Sequence, residues 1–173
     1  MTDNANIDWS RLDTCAIISN GGIACIRTTD AASLRQWLQS EGYQVLTWDL
    51  GSGLTTAIPV LSRLLRWKDQ FGYELNAERR GLDAVRDGLC SDHWHGPACA
   101  LELVGAEAAW REDAPWMRGF LSIAEEHTRG CLWRGWRYFT MLVLPEHSPL
   151  LGTELEHKRL PHEVWPPRRQ LRE

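Results

Sequence analysis

The segment 90–99 carries thiol and imidazole side chains that could bind a metal ion. Tetrahedral zinc prefers these donors, and one loop could supply four of them: Cys90, His93, His95 and Cys99. The two histidines are only two residues apart, and Cys99 falls where a buried strand should begin, so the spacing is not that of a common zinc motif. In the alternative interpretation, the histidines are solvated and the thiols pack as small hydrophobic groups. We expect no bound cofactor or metal and keep the zinc loop as an alternative.

Two aspartates lie within an apolar pattern that predicts a helix. Leu82, Val85 and Leu89 recur at helical spacing, and Asp83 and Asp87 are four residues apart between them. Both carboxylates therefore leave the same face of the helix, where like charges at this spacing are slightly destabilising. The alternative is an ordinary solvated face, on which Asp83 is favourably placed near the helix N-terminus.

Negative charge is concentrated around this helix and the elements that follow it. Residues 83–130 contain nine acidic residues and four arginines, a net charge of −5, whereas the whole chain has a formal charge of −4. Glu125 and Glu126 belong to this set and fall near the end of a predicted helix, where the helix dipole disfavours anions. The balance of 19 Lys and Arg against 23 Asp and Glu argues against a general binder of nucleic acid or membrane surfaces.

The common motifs of nucleophilic, phosphate-binding and zinc-protease sites are missing. The sequence contains no G-x-S-x-G, no glycine-rich phosphate loop with lysine and no H-E-x-x-H. Gly51-Ser52-Gly53 follows a predicted strand, but it lacks the further glycines and the lysine of a phosphate loop, which favours a connecting turn. We therefore expect a protein that is not an enzyme, with a small α/β hydrolase as the least favoured alternative.

The composition is that of a soluble globular protein. The 173 residues are 43% hydrophobic and 24% charged, and no run of about 18 apolar residues predicts a membrane span. Residues 1–8 are polar and acidic, unlike a secretory signal, and the five cysteines are an odd, scattered set. We expect a cytoplasmic protein with reduced thiols. The ten tryptophans predict more packing or contact surface than usual.

Strands alternate with helices along the chain. Residues 14–27 predict a β-hairpin around Asn20-Gly21-Gly22, and residues 30–41 predict a helix. Three further strands are predicted at 43–50, 98–104 and 138–144. The segments between them carry helical periodicity, including one helix from about Thr55 to Phe71-Gly72 and another over 115–129. This alternation predicts an α/β fold with right-handed parallel crossovers. The proline-rich residues 146–173 predict a C-terminal extension that wraps the domain or is partly disordered.

These elements, taken with their residues, resemble the barstar family of small ribonuclease inhibitors. Leu82 to Leu89 (LDAVRDGL) is similar to that family's L-D-A-L-x-D-x-L helix, and Phe71-Gly72 precedes it as an aromatic–glycine pair. The segments ACALELV, FLSIAEEHTRG and YFTMLVL follow in the family's order. The resemblance covers residues 43–145 and implies a three-stranded parallel sheet covered by helices. Residues 1–42 are then an added hairpin and helix, and 146–173 an added C-terminal extension.

The resemblance also implies a function and a site. Asp83 and Asp87 match the two helix aspartates that enter the ribonuclease active site, and Glu125, counted back from Gly130, matches a supporting acid. In the family these acids mimic substrate phosphates. We expect a barstar-like inhibitor or immunity protein that binds one cognate ribonuclease one-to-one, without touching nucleic acid or membrane. Tyr73 and Trp94 are candidate aromatic anchors at the rim, with core packing as the alternative for each.

Three departures from the family pattern bear on the partner. Gly81 stands where the family often has asparagine, Arg86 replaces the aromatic residue between the aspartates, and the connection over 73–80 is longer. Arg79 and Arg80 in that connection add positive charge near the acidic face. We therefore expect a cognate nuclease different from the one that the family's founding member binds. The alternative function is a non-inhibitory protein-binding module, with or without a zinc-stabilised Cys/His loop.

Overall fold

A computed structural model describes residues 21–91, 94–156 and 158–164. Its helices and strands alternate along the chain as the sequence predicts. In chain order they are β1 (Ile23–Arg27), α1 (Ala31–Ser40), β2 (Gln44–Asp49), α2 (Leu54–Leu64), α3 (Trp67–Phe71), α4 (Leu82–Leu89), β3 (Ala98–Val104), α5 (Ala106–Glu112), α6 (Ala114–Trp133) and β4 (Arg137–Leu144). Among these residues, no helix is both long enough and apolar enough to cross a membrane.

The sheet has four parallel strands in the order β1-β4-β3-β2, so the prediction of three strands is wrong by one. The additional strand is β1, whose residues pair in register with β4 from Ile23 opposite Thr140 to Arg27 opposite Leu144. The sequence IACIR is buried along almost its whole length, which suits a parallel strand covered on both faces better than a half-solvated hairpin. It also covers the edge of β4, which would otherwise expose unpaired backbone groups. The first half of the predicted hairpin lies outside the described residues.

Helices cover both faces of the sheet. One face is covered by α1, which packs Leu34 and Leu38 against Ala24, Ile26 and Phe139. The other described helices pack on the opposite face, in a larger cluster that contains Trp48, Leu101 and Leu142. The placement of α1 on one face and of the other helices on the opposite face follows from right-handed crossovers. The connection from β1 to β2 crosses the sheet in the opposite direction to the two connections that follow it, so its helix lies on the opposite face.

The predicted helix over 55–71 is interrupted. Helix α2 ends at Leu64 and α3 begins at Trp67, and between them Arg66 has a φ of 52°, in the left-handed region that ends helices. The two helices that follow β3 also differ from the predictions. The short helix α5 was not anticipated, and α6 extends the predicted helix at 115–129 to 20 residues.

In the described part of the chain, the tryptophans are mostly packing residues. Of the eight in the described part of the chain, four are buried, three are half-buried and one is exposed. Three of the buried indole N–H groups donate to backbone carbonyl oxygens, at 2.9 Å from Trp48 to Ala57, 2.8 Å from Trp94 to Leu89 and 2.7 Å from Trp116 to Arg80. These bonds satisfy a polar group that would otherwise be costly to bury.

The described part of the C-terminal segment packs against the domain next to α5 and α6. Leu150, Leu155, Leu160 and Val164 are buried in the larger cluster, so this segment completes the core on the side of α6. The Ser148 hydroxyl donates to Glu107 at 2.5 Å and ties the segment to α5.

Candidate partner-binding face on helix α4

Helix α4 presents its aspartates outward because its apolar residues pack inward. Val85 and Leu89 are buried, and Leu82 lies against Gly119 of α6, where a Cβ atom would come within 2.4 Å of its Cδ1. Gly88 allows an equally close approach on the other side, since a Cβ there would lie 2.3 Å from Cζ3 of Trp67. The helix is therefore clamped between α6 and the Trp67 ring, and its remaining face is left to solvent.

Asp83 and Asp87 occupy that solvent-facing side, as predicted from their spacing. Both are exposed. Within residues 21–91, 94–156 and 158–164, neither carboxylate has an ion-pair or hydrogen-bond partner. Two like charges thus lie one helical turn apart, and neither is ion-paired within the described residues.

The other described acids of the 83–130 segment form hydrogen bonds or ion pairs within the protein. Asp92 lies outside the described residues, and each of the remaining six has a partner. The pairs are Glu102 with Arg35 and Thr47, Glu107 with Ser148, Glu112 with Leu54 and Thr55, Asp113 with Arg80, Glu125 with Lys158 and Arg129, and Glu126 with Arg86. The acidic excess of the segment is therefore available to a partner mainly at Asp83 and Asp87.

An exposed aromatic pair lies beside the same helix. Tyr73 is 38% exposed and Phe71 is 37% exposed, and their ring centroids are 6.3 Å apart. Both rings pack on Trp67, at 6.2 Å and 4.7 Å, and Trp67 in turn supports α4 at Gly88. Tyr73 is thus at the surface, and it packs on the ring that supports α4.

The other predicted aromatic anchor is in the core. Trp94 is only 3% exposed, and its ring packs against Tyr138 and His127, with centroid distances of 5.9 Å and 5.8 Å. Its indole N–H bonds to the last turn of α4 through the Leu89 carbonyl. Its place is therefore that of a support beneath α4, which is the core-packing alternative, and it leaves little ring surface for a partner.

The predicted supporting acid is also turned inward. Glu125 is 1% exposed, with Nζ of Lys158 at 3.4 Å and a guanidinium nitrogen of Arg129 at 3.8 Å from its Oε1. The neighbouring Glu126 is exposed and reaches α4, where it accepts a hydrogen bond from Nε of Arg86 at 3.1 Å. Of the two neighbouring acids, Glu126 is therefore the one that contacts α4.

Most of the positive charge near α4 is internally paired. Arg86 is bound to Glu126, and Arg80 forms an ion pair with Asp113 at 2.9 Å while its guanidinium lies 5.6 Å from the ring centroid of Trp116. Arg79 is exposed. Two of the three arginines that the sequence placed near the acidic face are thus neutralised by acids outside the aspartate pair.

The Cys/His loop lies against two further potential metal ligands on α6, which sequence reasoning did not identify. His93 lies outside the described residues, and the structure brings His95 to His127 and Cys131 of α6, with all candidate ligand atoms within 4.8 Å of one another. The signal in the sequence was H-x-x-x-C, two donors one helical turn apart in α6. Only the tertiary fold joins them to His95.

Burial sets the protonation of this cluster. It lowers the pKa of His127 to about 3, with a smaller contribution from His95, and it also lowers the pKa of His95. Burial raises the pKa of the neighbouring thiols, to about 11 for Cys90 and Cys131 and about 12 for Cys99. Without a metal ion, the imidazoles are neutral and the thiols are protonated near neutral pH.

No protein-family model, curated protein or solved structure matches this chain. The candidate function therefore depends on the chain's own residues and on the likeness of residues 43–145 to the barstar pattern.

Proposed function

We propose that this protein is a barstar-like inhibitor or immunity protein that binds one cognate ribonuclease through the exposed side of α4. Asp83 and Asp87 enter the phosphate-binding cleft of the nuclease, and the exposed rings of Phe71 and Tyr73 pack at the rim. The protein blocks the cleft and offers no bond to cleave.

The observation that carries this proposal is the unpartnered aspartate pair. Every other described acid of the 83–130 segment has an internal partner, while the two that match the family motif have none. Like charges one turn apart disfavour the helix that holds them, so their placement costs stability in the free protein. A partner with positive charge at the matching positions relieves this repulsion, and the relief contributes to the free energy of binding.

Electrostatic attraction also speeds the association of such a partner with the aspartate pair. A ribonuclease cleft is built to hold RNA phosphates and is positively charged, and a fixed negative patch attracts it at long range. The helix fixes the spacing of the two carboxylates before binding, so little conformational entropy is lost on association. The association rate should therefore fall as salt is added, because screening shortens the range of the attraction.

The test captures the partner and measures its activity. The immobilised wild-type chain is incubated with extract of its source cells, bound proteins are identified by mass spectrometry, and each is assayed for RNA cleavage with and without added chain. The proposal predicts a captured ribonuclease that the wild-type chain inhibits and that Asp83→Asn/Asp87→Asn neither captures nor inhibits.

A matched control separates the site from the general charge. Glu41→Gln/Glu163→Gln removes two exposed carboxylates from other parts of the chain and changes the net charge equally. It should capture and inhibit like wild type. Inhibition by the aspartate variant equal to that of wild type, or a set of captured proteins with no ribonuclease among them, would contradict the proposal.

A second candidate function is a non-inhibitory binding module that uses the end of α6. Trp133 is 93% exposed there and lies beside the exposed Leu132 and Arg129. Exposed tryptophans are common anchors in protein interfaces. Loss of the captured partner in Trp133→Ala, with full capture by Asp83→Asn/Asp87→Asn, would favour this function over the inhibitor.

A further inference from the structure

A buried group of nitrogen and sulfur donors lies beneath the C-terminal end of α4. His95 comes from the loop between α4 and β3, and His127 and Cys131 come from one face of α6. All three side chains are buried, and they are surrounded by the rings of Trp94, Trp136 and Tyr138. This group joins the α4–β3 loop to α6. An interaction that holds its three side chains together therefore also stabilises the packing beneath α4.

The distances are close to those of ligands around one zinc ion. Nε2 of His127 is 3.5 Å from Sγ of Cys131. Tetrahedral zinc with bonds of about 2.0 Å to nitrogen and 2.3 Å to sulfur places such a pair about 3.6 Å apart. Nε2 of His95 is 2.8 Å from Nε2 of His127, so these two atoms form a hydrogen bond. An ion between them requires about 0.5 Å more separation.

The proton on His95 is already placed for metal binding. Its Nδ1 is 2.7 Å from the carbonyl oxygen of Gly96, and because a carbonyl only accepts, Nδ1 must carry the proton. The lone pair is then on Nε2, which points at His127. Metal-bound histidines typically donate their other N–H to a carbonyl in this way, which fixes the tautomer and the ring orientation.

Among the described residues, the candidate ligand atoms within 4.8 Å of one another are those of His95, His127 and Cys131, so a fourth ligand has to move toward them. Cys90 follows Leu89, whose carbonyl oxygen accepts a hydrogen bond from the indole of Trp94, and the centroid of that ring lies 4.4 Å from the centroid of the His95 ring. Cys99 is fixed within β3, where it pairs with Gln44 on one side and Tyr138 on the other. Cys90 follows the end of α4 and is only half-buried, so its side chain can move toward the group without breaking the sheet.

We propose that His95, His127, Cys131 and Cys90 bind one Zn²⁺ ion that ties the α4–β3 loop to α6. The donor set of two imidazoles and two thiolates is one that zinc takes in closed structural sites. Binding releases the protons of the two thiols to solvent, moves the proton of His127 from Nε2 to Nδ1, and involves no redox change. The site is independent of the proposed inhibition, because none of its ligands lies on the exposed side of α4.

Cobalt and zinc titrations of the purified chain test the site. The full chain is stripped with a chelator, and Co²⁺ alone is added while the visible and near-ultraviolet spectrum is recorded. We expect d–d bands of tetrahedral cobalt, a thiolate-to-cobalt charge-transfer band, saturation at one ion per chain, and loss of the bands when Zn²⁺ is added. Zn²⁺ should also raise the Tm of the stripped protein.

Variants assign the ligands. Cys131→Ser should lose most of the cobalt signal, and Cys90→Ser should lose about half of the charge-transfer intensity. His147→Ala, an exposed histidine outside the group, should match wild type. Unchanged charge-transfer intensity in Cys90→Ser would overturn the assignment of the fourth ligand. If Cys131→Ser does not fold, the wild-type titration decides the outcome. A folded wild-type chain with neither cobalt bands nor a zinc-dependent Tm in excess metal would overturn the site itself.

Discussion

At the scale of single residues, Asp87 is the least favourably placed charge on α4. It lies in the last turn of the helix, where the dipole disfavours anions, and one turn from the like charge of Asp83. Asp83, in the first turn, gains from the same dipole. The two aspartates therefore differ in the free protein, even though the proposed function uses both.

Asp87→Asn should raise the free energy of unfolding by about 0.5 kcal/mol, because it removes both unfavourable interactions. Urea denaturation of the free protein measures the change. Asp83→Asn serves as the matched variant, and it should leave stability unchanged or lower it. A less stable Asp87→Asn protein would mean that the carboxylate has a stabilising role in the fold, and the interpretation of α4 as a binding face would lose its main support.

Residue types and spacing predicted that the two aspartates share a face of α4, but they did not predict which acid of α6 contacts that helix. The i, i+4 pattern of Asp83 and Asp87 fixes a shared face as soon as the helix forms. Glu125 and Glu126 show the limit, because adjacent helical residues point about 100° apart and only the packing of α6 decides which one reaches α4. The ion pair from Arg86 to Glu126 is visible only in the folded chain.

At the scale of elements, helix α2 depends on a residue from another helix. Its first two N–H groups, of Leu54 and Thr55, donate to the carboxylate of Glu112 in α5 at 2.7 Å and 3.0 Å, and the Thr55 hydroxyl donates to it as well. Gly53 before the helix has no side chain to cap it. Glu112 therefore takes the place of a local cap, and it also ties α5 to α2.

Glu112→Ala should lower the free energy of unfolding by about 1 kcal/mol, the usual effect of losing a cap. Hydrogen bonds from Thr55 lower the pKa of the Glu112 carboxyl below its ordinary value of 4.5. The stabilisation is therefore complete above pH 4.5 and is lost as the pH falls through the lowered pKa. Chemical denaturation at pH 7 and at acidic pH should show the difference from wild type shrinking in acid. A constant difference at both pH values would assign the effect to something other than this carboxylate.

Most elements could be predicted from periodicity, and those that were missed have local causes. Buried apolar runs such as ACALELV and YFTMLVL predicted β3 and β4 almost to the residue. The break between α2 and α3 depends on the left-handed conformation of Arg66, a residue that carries no sequence signal for it. The position of β1 beside β4 is a pairing between distant segments, which hydrophobic pattern alone does not determine.

At the scale of the whole molecule, one buried carboxylate joins α1 to the sheet. Glu102 of β3 is fully buried and accepts hydrogen bonds from Nε and Nη2 of Arg35 and from the Thr47 hydroxyl. Arg35 belongs to α1, which covers the face opposite the larger cluster. This bond network is the main polar link between the N-terminal helix and the sheet in the described part of the chain.

Arg35→Met should lower the free energy of unfolding by about 2 kcal/mol, because it leaves a buried carboxylate without its counter-charge. This estimate is below the usual range for buried pairs because Arg35 is half exposed. Arg35→Met/Glu102→Leu should recover much of the loss, since apolar residues can replace a buried ion pair. Chemical denaturation of the two variants and wild type gives the comparison. Equal stability of Arg35→Met and wild type would show that the pair does not hold α1 to the sheet.

The central claim concerns the whole protein and its partner, and a titration of RNA cleavage tests it most directly. A fixed amount of the ribonuclease captured by the wild-type chain is mixed with increasing amounts of each variant. We predict that cleavage stops at one equivalent of wild type or of Glu41→Gln/Glu163→Gln. The Kd of Asp83→Asn/Asp87→Asn should be at least about 30-fold higher, the equivalent of roughly 2 kcal/mol in binding, so that cleavage continues at one equivalent of this variant when the nuclease concentration lies between the two Kd values. Cleavage that stops at one equivalent of the aspartate variant would contradict the account.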